Sequence, residues 1–78
     1  MDIQDSIIRV IARINALPKE SIKLKDNLKE DLGMDSLDII EMIVELEREF
    51  NLYIPEGWVK KIKTVDEIVE YVKVQSPK

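Results

Sequence analysis

The chain alternates between amphipathic stretches and short polar breaks, which predicts an all-α fold. The first stretch runs from Ile3 to Leu17, and its aliphatic residues recur at spacings that place them on one side of a helix. The members of this stripe are Ile3, Ile7, Val10 and Ile14. Asp2 and Asp5 fall in the expected first turn, where a carboxylate favours the positive end of the helix dipole. Pro18 is expected to end the helix.

Residues 18–35 show no comparable periodicity and are predicted to form a long loop. The apolar residues of this segment are isolated, so we expect them to anchor the loop on the core. They are Ile22, Leu24, Leu28 and Leu32. A short helical turn within the loop is the alternative. Gly33 permits a turn with positive φ just before the next element.

The clearest helical pattern runs from Ser36 to Phe50. At about 100° per residue, its largest apolar side chains share one face, which predicts a face buried in the core. This face consists of Ile39, Met42, Ile43, Leu46 and Phe50. The opposite face carries the charged residues Asp38, Glu41, Glu45, Arg48 and Glu49. A third arc contains Leu37, Ile40 and Val44 together with Ser36 and Glu47. Asp35 or Ser36 suits the N-cap.

The remaining segment predicts two more helices. Residues 51–55 break the preceding helix, and residues 56–62 are expected to form a short helix with Pro55 at or near its first turn. Thr64 and Glu67 have the spacing of a capping box, so Thr64 is expected to open the last helix. Its predicted buried stripe is Val65, Ile68, Val69 and Val72. Residues 76–78 are expected to fray.

Together these elements predict an all-α, four-helix bundle with three main helices and a short third helix. None of the amphipathic helices is expected to be stable alone, so they should pack against one another. The length of 78 residues predicts a single domain spanning residues 1–78.

The composition narrows the chemistry that the chain can perform. The sequence contains no Cys and no His, which excludes a thiolate nucleophile and an imidazole base. Its only two glycines are Gly33 and Gly57, so no glycine-rich phosphate loop is present. We therefore expect no catalytic residue and no metal site, and a protein that is not an enzyme.

The net charge of −4 is localised rather than spread along the chain. Between residues 36 and 51 lie five acidic residues and one basic residue, which account for the whole excess. A negative surface argues against nucleic acid as a partner. The N-terminal sequence lacks the features of a signal peptide, and no apolar run approaches the roughly 20 residues of a membrane span. A soluble, cytoplasmic monomer is the simplest expectation.

The segment from Asp31 to Asp38 contains the motif Asp35-Ser36-Leu37 at the start of the acidic helix. Taken alone, a serine or aspartate at this position is most often only a helix cap. The wider context changes that interpretation, because several further motifs occur in order along the chain. They are residues 30–33 (EDLG), 35–38 (DSLD), Glu41, residues 46–50 (LEREF), Ile54-Pro55, and Lys61-Ile62 with Thr64-Val65. In this ordered set the chain resembles the acyl carrier protein family.

The resemblance implies a specific modification. In that family the serine of the motif accepts 4′-phosphopantetheine from coenzyme A, transferred by a separate Mg²⁺-dependent phosphopantetheinyl transferase. This assigns the attachment to Ser36 and would make the chain a phosphoprotein. The thiol of the arm carries acyl groups as thioesters, which agrees with the independent absence of cysteine. Asp35 and Asp38 would repel the phosphodiester, so the sequence favours recognition or metal approach in the transferase complex as their role.

The resemblance also implies that the acidic helix recognises partner enzymes through their basic patches. The candidate recognition residues are Asp35, Leu37, Asp38, Glu41, Val44, Glu45 and Glu47. The alternative is that these charges form only a solvated helix face. The aliphatic core is likewise either simple packing or, as in some family members, a compartment that admits the acyl chain.

Some residues depart from the strongly acidic surface of many family members. Arg48 interrupts the acidic run, and Trp58, Lys60 and Lys61 occupy the short third helix region. Fatty acid biosynthesis is the leading pathway. A dedicated polyketide, lipid or aminoacyl pathway, such as D-alanyl transfer, and an unmodified structural or interaction subunit are the alternatives. For Trp58 and the two lysines, the alternative to a functional role is packing of the indole over the bundle with both lysines in solvent.

Overall fold

A computed structural model describes residues 2–75, which form four α-helices and no β-strand. The helices are α1 (Ile3–Asn15), α2 (Ser36–Phe50), α3 (Glu56–Val59) and α4 (Val65–Gln75). One turn of 3₁₀-helix, Lys19–Ser21, lies in the connection between α1 and α2. This architecture confirms the predicted bundle of three main helices and a short third helix. The expected fraying at 76–78 lies outside the described residues.

The helix α1 ends earlier than the sequence predicted, at Asn15 rather than Leu17. Ala16 adopts the left-handed conformation with φ of 54°, and the N–H of Leu17 donates to the carbonyl of Ala12 at 3.0 Å. This bond closes the helix end in the manner of a Schellman motif. Pro18 still explains the position, because a proline disfavours helical geometry in the residue before it. The helix therefore ends at Asn15, and Ala16 and Leu17 lie between it and Pro18.

The predicted apolar faces meet in one hydrophobic core. All four residues of the α4 stripe are buried, and in α2 all are buried except the partly buried Phe50. In α1, Ile7 and Val10 are buried as predicted, whereas the ends of the stripe are only partly buried. Ile11 is fully buried and was not assigned to the stripe. Because α1 packs against both α2 and α4, its buried face is wider than the narrow predicted stripe.

The long loop is anchored as predicted, and it is also tied to α4 through the backbone. Ile22 and Leu28 are buried, and Leu24 and Leu32 pack against the core. The N–H of Leu28 donates to the carbonyl of Lys63 at 2.8 Å, and an isolated antiparallel bridge joins Asn27 to Thr64. The loop preceding α2 therefore has a defined position relative to the start of α4.

The start of α4 forms only half of the predicted capping box. The carboxylate of Glu67 accepts from the N–H of Thr64 at 3.2 Å and from the N–H of Lys63 at 2.6 Å. Among residues 2–75, the Thr64 hydroxyl accepts no hydrogen bond from the Glu67 N–H and instead donates to the carboxylate of Asp66. Donation to this nearby anion orients the hydroxyl towards Asp66.

The third helix is shorter than predicted and lies at the edge of the core. It spans Glu56–Val59 rather than residues 56–62, with Pro55 at its N-cap. None of its residues is buried, although Trp58 and Val59 pack partly against the core. Four residues can bury little apolar area, so α3 is the least firmly packed of the helices. Within residues 2–75, no helix has the length and apolar character needed to cross a membrane.

The burial of the loop generates a stability prediction. Replacing Leu28 by Ala removes a side chain that is 1% exposed, and we expect a loss of about 2–5 kcal/mol in the free energy of unfolding. The matched control is Leu37→Ala, because Leu37 is 75% exposed and its truncation should cost no more than about 0.5 kcal/mol. Urea unfolding followed by circular dichroism measures both. Equal losses in the two variants would contradict the anchored loop.

Candidate attachment site and recognition surface

The start of α2 is defined by a reciprocal capping box between two aspartates. The N–H of Asp38 donates to Oδ1 of Asp35 at 2.9 Å, and the N–H of Asp35 donates to Oδ2 of Asp38 at 3.2 Å. Asp35 is therefore the N-cap, and Ser36 is the first residue of the helix. The sequence left the choice of cap between these two residues open. The capping role of Asp35 was one of the two alternatives, whereas the reciprocal bond to the Asp38 carboxylate was not predicted.

Ser36 is exposed at the first position of α2. Within the described residues, its hydroxyl makes no hydrogen bond to another protein group. The N–H groups of Ser36 and Leu37 also lack protein acceptors there, as expected in the first turn of a helix. A phosphodiester on Ser36 would lie beside these donors and at the positive end of the helix dipole. The local geometry therefore fits the phosphopantetheine arm.

Gly33 and Met34 position the backbone that leads into the N-cap of α2. Met34 is 3% exposed, and its N–H donates to the carbonyl of Leu28 at 2.9 Å. Gly33 has φ of 72°, which confirms the predicted turn with positive φ. No other atoms lie within 4 Å of the position where a Cβ would stand. The glycine is therefore favoured by its backbone conformation and not by lack of space.

The predicted recognition residues form two groups. The first group is exposed around Ser36 and comprises Asp35, Leu37, Glu41 and Val44. Leu37 and Val44 are 75% and 45% exposed, although both are large and apolar. Such side chains at the surface suit contact with another protein. Asp38 is half-buried next to this group because its carboxylate caps the helix.

The second group, Glu45 and Glu47, is engaged within the chain. Oε1 of Glu45 lies 3.0 Å from the guanidinium of Arg13, which joins α2 to α1. Oε2 of Glu47 accepts from the N–H of Ile54 at 2.9 Å, which fixes the segment that follows α2. These two carboxylates are less available to a partner than the sequence suggested. Asp35 and Glu41 are the exposed acidic residues among the candidates, and the Asp35 carboxylate also accepts the capping hydrogen bond from Asp38.

The structure brings further residues to Ser36 that sequence reasoning did not assign to the site. A depression of about 370 Å³ beside the serine is lined by the ammonium-bearing Lys29 and Lys60 and by the apolar Ile40 and Val59. In the sequence, Lys60 departs from the acidic family surface and Ile40 lies on the third arc of the acidic helix. Their spacing along the chain does not relate either residue to Lys29. The depression forms where the loop, α2 and α3 meet, and this meeting is a tertiary feature.

A second apolar depression adjoins the first one. It has a volume of about 300 Å³ and lies between α2 and α3, with Ile40 and Val59 again on its walls. Tyr53 also lines it and is 74% exposed. The two depressions together form a groove, which we call the α2/α3 groove, running from Ser36 along the exposed side of α2.

Trp58 faces away from this groove and packs on α4. Its ring centroid lies 4.0 Å from that of Tyr71, with an angle of 31° between the ring planes. Lys60 and Lys61 are exposed. The indole therefore packs over the bundle, which was the structural alternative for Trp58, whereas the exposed Lys60 also lines the depression beside Ser36. Among residues 2–75, no cluster of three or more acidic, histidine or cysteine side chains could hold a metal ion.

Comparison with known proteins agrees with this geometry. The phosphopantetheine attachment site family matches residues 5–72 of the chain. An acyl carrier protein of Amoebophilus asiaticus is 42% identical over 72 residues, covering 92% of this chain and 90% of the relative. An acyl carrier protein of Chlorobium phaeovibrioides is 38% identical over 71 residues, covering 91% of each chain. A solved structure assigned as an acyl carrier protein of Mycobacterium tuberculosis has a TM-score of 0.86 and 35% identity, and the match covers 92% of this chain and 96% of that one.

The fold and the family match define a phosphopantetheine-dependent carrier domain. The chain belongs to the acyl carrier protein family. Membership implies a covalently attached 4′-phosphopantetheine, which confirms the cofactor expected from the sequence. Acyl carrier proteins are carriers and not catalysts, and this confirms the expectation that the chain is not an enzyme.

The capping box generates a second stability prediction. Asp35→Ala removes the side-chain acceptor of the Asp38 N–H, and the lost cap should cost about 1 kcal/mol in the free energy of unfolding. Asp2→Ala is the matched control, because Asp2 is the N-cap of α1 but its side chain makes no capping hydrogen bond. Both variants lose a carboxylate at a helix start, so their difference reports the hydrogen bond. Urea unfolding measures it, and a loss as large in Asp2→Ala would exclude this role of Asp35.

Proposed function

We propose that Ser36 is the attachment residue and that the chain shuttles acyl groups between enzymes as thioesters of its phosphopantetheine arm. The observation that carries this proposal is the exposed hydroxyl of Ser36 at the first position of α2, which has no hydrogen-bond partner among residues 2–75. The family match supports it, because residues 5–72 include this serine. The proposed unit is a single domain that acts as a monomer in the cytoplasm.

The attachment reaction needs a partner enzyme to activate Ser36. The hydroxyl oxygen attacks the phosphorus that carries pantetheine in coenzyme A, and the pyrophosphate bond breaks. Adenosine 3′,5′-bisphosphate leaves, and the serine proton passes to a base of the transferase. The sequence contains no histidine, and the carboxylates nearest in sequence, Asp35 and Asp38, already accept hydrogen bonds from each other's backbone. A base from the partner is therefore required.

The exposed acidic and apolar residues of α2 are proposed to dock the partner enzymes. Asp35 and Glu41 provide negative charge beside Ser36, while Leu37 and Val44 provide a small apolar contact. Complementary charge accelerates encounter and orients the partner more than it tightens the complex. This suits a carrier that must leave each enzyme after transfer. The partners proposed are the phosphopantetheinyl transferase and acyl synthesis and transfer enzymes with basic patches.

The α2/α3 groove is the proposed position of the acyl chain. It begins at Ser36, its walls are largely apolar, and α3 contributes no buried residue. A wall of four residues can move at small cost, because it buries little apolar area. The aliphatic core beneath it would admit a chain of methylene groups by displacing side chains of similar character.

Fatty acid biosynthesis is the pathway proposed for this carrier. A dedicated polyketide, lipid or aminoacyl pathway is the second candidate, and one observation favours it. The region around α3 presents exposed Lys60 and Lys61 beside the stacked Trp58, so part of the surface near the groove is basic. Mass spectrometry of the thioester carried by the protein in its native host distinguishes the two pathways by the identity of the acyl group.

Modification of Ser36 is tested directly by intact-mass measurement. The purified chain is incubated with coenzyme A, Mg²⁺ and a broad-specificity phosphopantetheinyl transferase. We expect the mass to increase by one phosphopantetheine, and we expect no increase for Ser36→Ala. Ser21→Ala is the matched control, because Ser21 is another exposed serine whose hydroxyl donates to the carbonyl of Pro18. It should be modified like the unaltered chain.

Two outcomes of this experiment would refute the attachment site. Modification that persists in Ser36→Ala would assign the arm to another residue. No modification of the unaltered chain by any of several transferases would favour an unmodified interaction subunit instead. Circular dichroism of both variants ensures that a missing modification does not reflect unfolding.

The acidic surface generates a kinetic prediction. Glu41→Lys should slow association with the transferase by about two- to tenfold at low ionic strength, because it reverses an exposed charge near Ser36. Glu49→Lys is the matched control, because it makes the same charge change at the far end of α2 and should have a smaller effect. Stopped-flow fluorescence measures both association rates. Equal rates for the two variants, or rates independent of salt, would mean that the charges form only a solvated face.

A further inference from the structure

Two lysines from different elements meet at the depression beside Ser36. Lys29 belongs to the loop before α2, and Lys60 follows the last residue of α3. Both residues line the same depression of about 370 Å³, which Ser36 also lines. The two residues lie far apart in the sequence, so their convergence results from the tertiary fold.

Both lysines are positioned by their backbones while their charges remain available. The N–H of Lys29 donates to Oδ1 of Asn27 at 2.9 Å, and the N–H of Lys60 donates to the carbonyl of Glu56 at 3.1 Å. Both residues are exposed. In the part of the chain that the structure describes, neither lysine forms an ion pair. Among residues 2–75, the charge of each lysine is therefore not taken up in an ion pair.

The charges next to Ser36 in sequence are negative, and neither of them lines the depression. Asp35 and Asp38 flank the serine, and their carboxylates are held in place by the capping box. Glu56 also lines the depression and offsets part of the lysine charge. An anion attached to Ser36 is thus repelled by two fixed carboxylates and attracted towards two lysines, with one further carboxylate among them. The asymmetry points the anion towards the depression.

We infer that Lys29 and Lys60 hold the phosphodiester of the arm and direct the arm into the α2/α3 groove. This inference rests on the proposed attachment at Ser36 and adds a positioning role for residues of this chain. Ammonium groups are effective counter-charges for phosphate. The apolar Val59 and Ile62 line the same depression, so the pantetheine part of the arm meets an apolar surface once its phosphate is held. The acidic residues of α2 then remain available for contact with the partner enzyme.

The experiment compares modified and unmodified protein in three forms: the unaltered chain, Lys29→Gln with Lys60→Gln, and Lys23→Gln with Lys73→Gln. The last pair is the matched control, because both of its lysines are exposed, neither lines the depression, and the change in net charge is the same. Glutamine keeps most of the side-chain stem, so the substitutions should leave the fold intact. Mass spectrometry first establishes that all three forms carry the arm.

Amide NMR spectra recorded before and after modification give the main readout. In the unaltered chain and in the control, modification should shift the amide signals of the lysine side of the depression, at residues 29 and 59–62. In Lys29→Gln with Lys60→Gln these shifts should be lost, and the phosphorus resonance should become narrower because the phosphodiester moves more freely. Adding salt to the unaltered modified chain should reproduce the same changes without any substitution.

Thermal unfolding gives an independent readout. The change in Tm on modification should be lower by about 1–5 °C in Lys29→Gln with Lys60→Gln than in the control, as expected for exposed ionic contacts in a domain of this size. This difference should diminish at high salt.

The outcomes separate this inference from the function on which it rests. If all forms are modified but the NMR and thermal changes are the same in all three, the lysines do not hold the phosphodiester. If the substitutions only slow the transferase, the lysines contact the partner enzyme and the inference is wrong. If the unaltered chain is not modified at all, the attachment at Ser36 fails, and the lysine role fails with it.

Discussion

The reciprocal hydrogen bonds between Asp35 and Asp38 set the point at which α2 begins. They satisfy a backbone donor at the helix start and place Ser36 at the first helical position. A helix start displaced by one residue would rotate every later side chain of α2 by about 100° and move its apolar face away from the core. Met34, the residue before the Asp35 cap, is buried and anchors the chain on the core at this point. The exposed serine, the recognition surface and the packing of α2 therefore share one constraint.

The same aspartates create an electrostatic conflict with the proposed phosphodiester. Their charge stabilises the start of the helix, since carboxylates favour the positive end of the dipole, but it opposes a second anion nearby. The proposed role of Lys29 and Lys60 would offset this repulsion, because both residues line the depression that adjoins Ser36 and neither aspartate does. Under that proposal, the acidic residues of α2 serve partner enzymes and the two lysines hold the arm.

Two carboxylates of α2 form contacts within the chain, so the charges on this helix do not all serve a partner. Glu45 pairs with Arg13 and joins two helices, while Glu47 accepts a backbone hydrogen bond from Ile54. An exposed ion pair such as the first contributes at most about 1 kcal/mol. The bond from Ile54 matters more for shape, because it positions the segment that leads to α3. The recognition surface is correspondingly smaller than the acidic run in the sequence.

The helices, their buried faces and the candidate serine could be predicted from the sequence. Periodicity located the cores of α1, α2 and α4, because a helix repeats regularly and each predicted face meets the same interior. It misplaced the end of α1 and the length of α3, since single hydrogen bonds at a left-handed Ala16 or after Val59 leave no periodic signal. Motifs identified Ser36 and its aspartates through their order along the chain.

The residues that surround that serine could be identified only from the packing of the elements against one another. Lys29 and Lys60 lie in a loop and at a helix end, and neither position carries a spacing rule that relates it to Ser36. Their proximity depends on how the loop is tied to the start of α4 and on where α3 lies against α2. Likewise, the ion pair of Glu45 depends on Arg13, which is distant in sequence. The hydrogen bond of Glu47 depends on Ile54, which lies beyond the turn that follows α2. Local patterns follow from backbone geometry, whereas a site built across elements follows from packing, which fixes distances that sequence separation does not encode.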